Sequence, residues 1–123
     1  MAWEFLPDQP IYTQLVLKLQ ADIIAGEYGV GSKFPSVREL SQVACVNPNT
    51  MQRAFVELEQ LGFIKTKRTA GRVVTDDLEH LQLFKRQLAS NYIDNFIDSL
   101  DTLGYETAEI KTFLQLKIKG GNA

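Results

Sequence analysis

The 123-residue sequence is poor in the side chains that most often carry chemistry: it holds one cysteine, one histidine and one tryptophan. A single thiol excludes an internal disulfide and any zinc site built on paired cysteines. Cys45 reads as small apolar filler beside a turn rather than as a redox centre. His80 is expected at an exposed place, not as a metal ligand. There is no glycine-rich phosphate loop, and no Ser/His/Asp or Cys/His set stands out for nucleophilic attack. Asp94, Asp98 and Asp101 share a helical face that could hold a hard cation, although such a stripe is more often simply wet surface. The expectation is a protein with no catalysis, no metal and no cofactor.

Long apolar runs are missing as well. No stretch of about 18 apolar residues is available to cross a bilayer. The opening MAWEFLPDQP has neither the cationic start nor the apolar run of an export signal, so a soluble, cytoplasmic protein is expected. With 45% hydrophobic and 23% charged residues the chain is globular in composition, one domain or a small domain with an appendage. An excess of positive charge is also lacking, since the formal net charge is −2. Its distribution is uneven. Residues 33–72 hold seven basic groups (Lys33, Arg38, Arg53, Lys65, Lys67, Arg68 and Arg72) against three acidic ones, whereas residues 76–119 hold five against eight. Salt screens charge beyond about 10 Å, so a phosphate backbone would meet the local sign rather than the total.

What is present is concentrated in residues 35–62, PSVRELSQVACVNPNTMQRAFVELEQLG. Ser36 with Glu39 fits a capping box, in which each side chain satisfies a free backbone N–H at a helix start. Asn47-Pro48 is a second start: the asparagine side chain can cap, and proline suits the first helical position. Gly62 supplies a left-handed stop. Helix, tight turn, helix is the shape of a helix-turn-helix. On the second helix Met51, Ala54, Phe55 and Leu58 share one stripe, with Asn49, Gln52, Arg53 and Gln60 opposite and Thr50 on the flank. Amide, hydroxyl and guanidinium groups at the leading end of such a helix suit base edges and phosphates. The alternative is an ordinary wet face; the paired helix starts favour duplex DNA.

Elsewhere, Asp8 and Pro10 mark a helix that runs to about Ala25 on Ile11, Leu15, Leu19 and Ile23, with packing as its only task. Trp3 and Phe5 before it form a short strand or simply cover the core. Gly29-Val30-Gly31 reads as a loop. After Gly62 a strand through residues 63–68, a turn at Thr69-Ala70-Gly71 and a returning strand at 72–75 make a hairpin. Its four basic residues suit the sugar-phosphate backbone, or else keep a solvated edge from aggregating. Asp76-Asp77 caps a long helix closed by Gly104, and Thr107 caps a last one with Ile110, Phe113, Leu114 and Ile118 inward. Leu81, Phe84, Leu88, Tyr92, Phe96, Leu100, Phe113 and Leu114 form an apolar face too large for two helices to bury on each other. Packing against a second copy is preferred over packing back on the first domain.

PSVREL at 35–40, VNPNT at 46–50 and RAFVELEQLGFI at 53–64, with PIYTQL at 10–15 upstream, resemble the DNA-binding domain of the bacterial GntR regulators. The resemblance covers about residues 9–75, and the short two-helix tail resembles the YtrA subfamily. It implies a mainly α fold with a small β-hairpin: a winged helix-turn-helix over residues 1–75, then a two-helix dimerisation region over 76–123. It implies a homodimeric transcriptional regulator, a repressor in the first instance, on a palindromic operator. Arg38, Thr50, Gln52 and Arg53 fall where the family touches DNA, and Asn47 and Asn49 lie at the leading end of the same helix. The wing reads TKRTAGRVV, without the family's glycine-rich tip and following aromatic. Gly71 remains, and Lys67, Arg68 and Arg72 would take phosphate contacts. Two rivals stay open: a winged helix that docks a protein through Val56 and the hairpin, and a sensor with a small-molecule or metal effector near Tyr92, Tyr105 and the acidic stripe.

Overall fold

The computed structural model describes residues 3–120, which fold as two compact units divided between Leu83 and Phe84. In the first unit, α1 (Ile11–Ile24) starts behind Pro10, and Asp8 provides no cap. The Gln14 amide holds the lead-in instead: Oε1 accepts from the Leu6 N–H at 2.7 Å, and Nε2 donates to the Leu6 carbonyl at 2.9 Å and the Gln9 carbonyl at 3.1 Å. Trp3 and Phe5 therefore lie half-buried in irregular chain, not in a strand. Leu15, Val16, Leu19 and Ile23 are buried, whereas Ile11 at the frayed start of the stripe is exposed.

The two helix starts of the central segment form as their side chains dictate. Ahead of α2 (Val37–Ala44), the Glu39 N–H donates to Ser36 Oγ at 3.0 Å and the Ser36 N–H donates to Glu39 Oε1 at 3.3 Å. The helix ends at Cys45, whose backbone is left-handed at φ 58°. That conformation turns the thiol to solvent, so Cys45 is exposed rather than core filler. Asn47 Oδ1 then accepts from the Asn49 N–H at 2.8 Å to open α3 (Pro48–Gln60). Gly62, at φ 85°, closes it: its N–H donates to the Glu59 carbonyl and the Phe63 N–H to the Leu58 carbonyl, the paired bonds of a Schellman stop. Met51, Ala54, Phe55 and Leu58 are fully buried. Each such aliphatic or aromatic side chain contributes about 1.5–3 kcal/mol by leaving water.

The hairpin is β1 (Ile64–Lys67) and β2 (Gly71–Val74), antiparallel, with Thr66 opposite Arg72 and Lys67 opposite Gly71. Gly71 takes φ 71°, beyond reach of most L-residues without strain. The stretch read as a simple loop also joins this sheet. The Gly31 N–H donates to the Val74 carbonyl, the Val74 N–H to the Ser32 carbonyl and the Phe34 N–H to the Arg72 carbonyl, so residues 31–34 run as a short edge along β2. Val73 and Val74, on opposite faces of β2, are both buried.

A long helix, α4 (Leu78–Thr102), begins where Asp77 Oδ1 accepts from the His80 N–H at 3.1 Å. Its first turn belongs to the first unit. Leu81 is 7% exposed there, which removes it from any set of residues open to a partner. His80 is not a free surface histidine either: Nε2 lies 2.8 Å from the Leu61 carbonyl at the end of α3. The first compact unit thus extends to Leu83 and takes in this turn of α4.

The second unit comprises the rest of α4 and α5 (Thr107–Ile118), joined by a turn in which Gly104 takes φ 94°. Glu106, not Thr107, precedes α5, its N–H donating to Glu109 Oε1 at 3.0 Å. Ile110 is buried, and the Tyr105 and Phe113 rings meet edge to face at 6.0 Å. Ile118 is exposed instead of inward. Between α4 and α5 an apolar groove of about 420 Å³ is lined by Tyr92, Ile93, Phe96, Ile97, Ile110 and Leu114, with Thr107 and Lys111 at its edge. No helix among the described residues is long and apolar enough to cross a membrane.

A Cβ on Gly62 would stand 2.6 Å from His80 Nε2. Gly62→Ala should therefore destabilise by about 1–2 kcal/mol through its left-handed backbone alone, with a further loss from displacing the ring. Urea unfolding of Gly62→Ala in wild-type and His80→Ala backgrounds separates the two: only the second loss should vanish with the histidine.

Candidate nucleic-acid interface

Because the Met51–Leu58 stripe is dry, the opposite edge of α3 has no freedom to turn inward. Asn49, Gln52 and Arg53 are exposed and Thr50 is half-buried at the flank. All four lie in the first two turns of α3, where the free backbone N–H groups of a helix start also gather. Asn47 is exposed, but its carbonyl oxygen is engaged as the cap, which makes it a shaper of this end before it is a contact. Arg38 is exposed on α2. The guanidinium carbon of Arg53 lies 3.7 Å from the centre of the Tyr12 ring on α1. Nothing in the spacing of α1 gave Tyr12 a task beyond packing, since the contact joins helices 41 positions apart in sequence.

The hairpin splits its basic residues into two classes. Lys67, Arg68 and Gly71 are exposed around its tip. Lys65 instead donates to Asp76 Oδ1 at 3.1 Å, and this bond, then the ammonium charge, holds the Asp76 carboxyl below the usual carboxylate range. Arg72, half-buried on β2, also makes contacts within the fold. Its Nε lies 3.7 Å from Glu59 Oε1 on α3, and its guanidinium carbon lies 5.2 Å from the Phe55 ring centre. The strand register is the reason: Arg72 stands opposite Thr66, and Thr66 Oγ1 donates to the same Glu59 oxygen at 3.0 Å. Thr66 therefore hydrogen-bonds the wing to α3, and Arg72 lies beside the same carboxylate with its buried Nε making no hydrogen bond.

The ion pairs among the described residues are Lys18–Asp22, Lys65–Asp76 and Arg72–Glu59. Lys33, Arg38, Arg53, Lys67 and Arg68 stay outside them. Lys33 joins this group by an unforeseen route, because its backbone bridges to Val73 and so sets it in the sheet. Cations outside those ion pairs, carried on α2, α3 and the sheet, are the kind of charge that suits an extended polyanion. The helix end adds planar donors and acceptors of the kind that read base edges. Among the described residues no group of three or more His, Cys, Asp or Glu side chains is placed to hold a metal ion.

Comparison with known proteins agrees with this geometry. Residues 11–74 match the sequence profile of the family described as "Bacterial regulatory proteins, gntR family". The uncharacterised helix-turn-helix regulator YhcF of Bacillus subtilis is 33% identical, with 91% of this chain and 96% of that protein covered. The transcriptional repressor YtrA of the same organism is 34% identical over 69% of this chain and 70% of its own length. A GntR family transcriptional regulator from Listeria monocytogenes superposes with a TM-score of 0.83 at 35% identity, over 90% of this chain and 97% of that one. The chain therefore belongs to the GntR family of bacterial helix-turn-helix regulators, and YtrA is among its relatives.

Proposed function

We propose that this protein is a homodimeric transcriptional repressor that acts in the cytoplasm, binds a palindromic DNA operator and catalyses nothing. The observation that carries the reading is the tip of α3: Asn49, Gln52 and Arg53 are held outward by a fully buried opposite stripe. A helix presented in this way fits the major groove, with its leading residues at base edges. Arg53 reads a base, Gln52 and Thr50 contribute beside it, and Arg38, Lys67 and Arg68 position the duplex through phosphates. Gly71 lets the wing backbone approach closely. Residues 1–83 act as the DNA-binding module and residues 84–123 as the dimerisation region. Repression follows YtrA, which carries that role among the relatives.

Dimerisation supplies the second half of the operator contact. Tyr92, Ile93, Phe96, Ile97 and Leu114 remain exposed around the apolar groove, a concentration that a monomer in water rarely leaves open. A second copy, related by a two-fold axis, would cover this face and set two α3 tips at a fixed separation. Phe84, Leu88, Leu100 and Phe113, all half-buried, would complete the contact, without Leu81.

Arg53→Ala should weaken binding to the operator by about 1–3 kcal/mol, with little effect on random duplex, if its contact is bidentate to guanine. Lys67→Ala should weaken both duplexes alike and reduce the salt slope by about one. Mobility shifts across a salt series measure both; affinity for DNA that is independent of salt would favour a protein-docking role. Sedimentation at about micromolar concentration, a typical obligate-dimer regime, should show a wild-type dimer and a Phe96→Glu monomer. A wild-type monomer would remove the proposed interface.

A further inference from the structure

Arginine is a poor reader of bases when it is loose. Its side chain has much rotamer freedom to lose, and that loss weakens each hydrogen bond it makes on binding. Arg53 is exposed on the second turn of α3, yet its guanidinium carbon lies 3.7 Å from the centre of the Tyr12 ring. That distance is carbon–carbon van der Waals contact, so the planar cation lies against the aromatic face. The guanidinium carries five N–H donors, so those directed away from the ring remain available to a partner. Tyr12 itself is half-buried, on a helix anchored by Leu15, Leu19 and Ile23, all within the same core as Met51, Phe55 and Leu58 of α3.

We infer that Tyr12 is a positioning residue for base reading: its ring holds the Arg53 guanidinium in a fixed plane before DNA arrives. The inference rests on the base-reading role proposed above for Arg53, and it gives α1 a task beyond packing. The ring face supplies the effect, so a phenyl ring serves as well as a phenol. Phosphate contacts by Lys67 and Arg68 are untouched by it.

The test uses the full chain with Tyr12→Phe, Tyr12→Leu and Tyr12→Met, each measured on a duplex selected by the wild-type protein and on a shuffled duplex. Tyr12→Phe should match wild type. Tyr12→Leu and Tyr12→Met should lose about two- to fivefold on the selected duplex alone, the worth of an exposed cation–π contact. That loss should disappear in an Arg53→Ala background. In the free protein, the Arg53 Nε–H proton resonance should show a ring-current upfield shift in wild type and Tyr12→Phe, and lose it in the other two. A loss shared by both duplexes, a loss that persists without Arg53, or failure of Tyr12→Phe would each overturn the inference. Tighter binding by Tyr12→Leu would overturn it too, by showing that the ring parks Arg53 away from DNA. A wild-type protein with no preference for any duplex sinks the DNA reading and this inference together. Wild-type preference left unchanged in Tyr12→Leu sinks this inference alone.

Discussion

The dry contact between α1 and α3 is the constraint on which the rest of the structure depends. Leu15 and Leu19 on one helix, and Met51, Ala54, Phe55 and Leu58 on the other, are fully buried. A rotation of α3 by even a third of a turn would draw Gln52 or Arg53 into this core without partners, at the large cost of burying unsatisfied polar groups. The polar edge of α3 is thus directed outward by what the opposite edge cannot give up. The exposed polar edge and the core-packing stripe are two sides of one helix.

The wing has its base in the core through Ile64, Val73 and Val74, and polar contacts to that helix add to this burial. Glu59, near the end of α3, accepts from Thr66 and faces Arg72, so both strands of the hairpin answer to one carboxylate. Residues 31–34 bond along the other side of β2 and bring Lys33 into the sheet. Lys65 is drawn off to Asp76. The basic middle of the sequence is therefore divided into cations that hold the fold together and cations left for a partner, and the total count of basic residues does not reveal the division.

Features written in adjacent residues were legible in the sequence. The Ser36/Glu39 box, the Asn47-Pro48 start, the Gly62 and Gly104 stops and the buried stripe of α3 each need only a few neighbouring positions, and each forms. Features that depend on distant pairing were not. The 31–34 edge has no alternation of its own, and it exists because β2 has backbone groups to satisfy. The approach of Arg72 to Glu59 is a property of the folded hairpin, because it follows from the register of Arg72 against Thr66. Cys45 was assigned to the core because nothing local signals that the turn requires a left-handed residue there. His80 belongs to the first unit with its ring nitrogen at the Leu61 carbonyl beyond α3, and Leu81 is buried in the same unit. The stack of Arg53 on Tyr12 joins two helices that no sequence period connects.

In the function proposed, α3 presents its exposed tip to duplex bases while the last two helices hold two such tips at a fixed distance. Selection of bound sequences from random duplexes by the full-length protein tests both halves at once. An enriched palindrome whose half-sites recur at one constant spacing is the expected result. Recovery of no enriched sequence at low ionic strength, or of a single half-site with no symmetric partner, would contradict it.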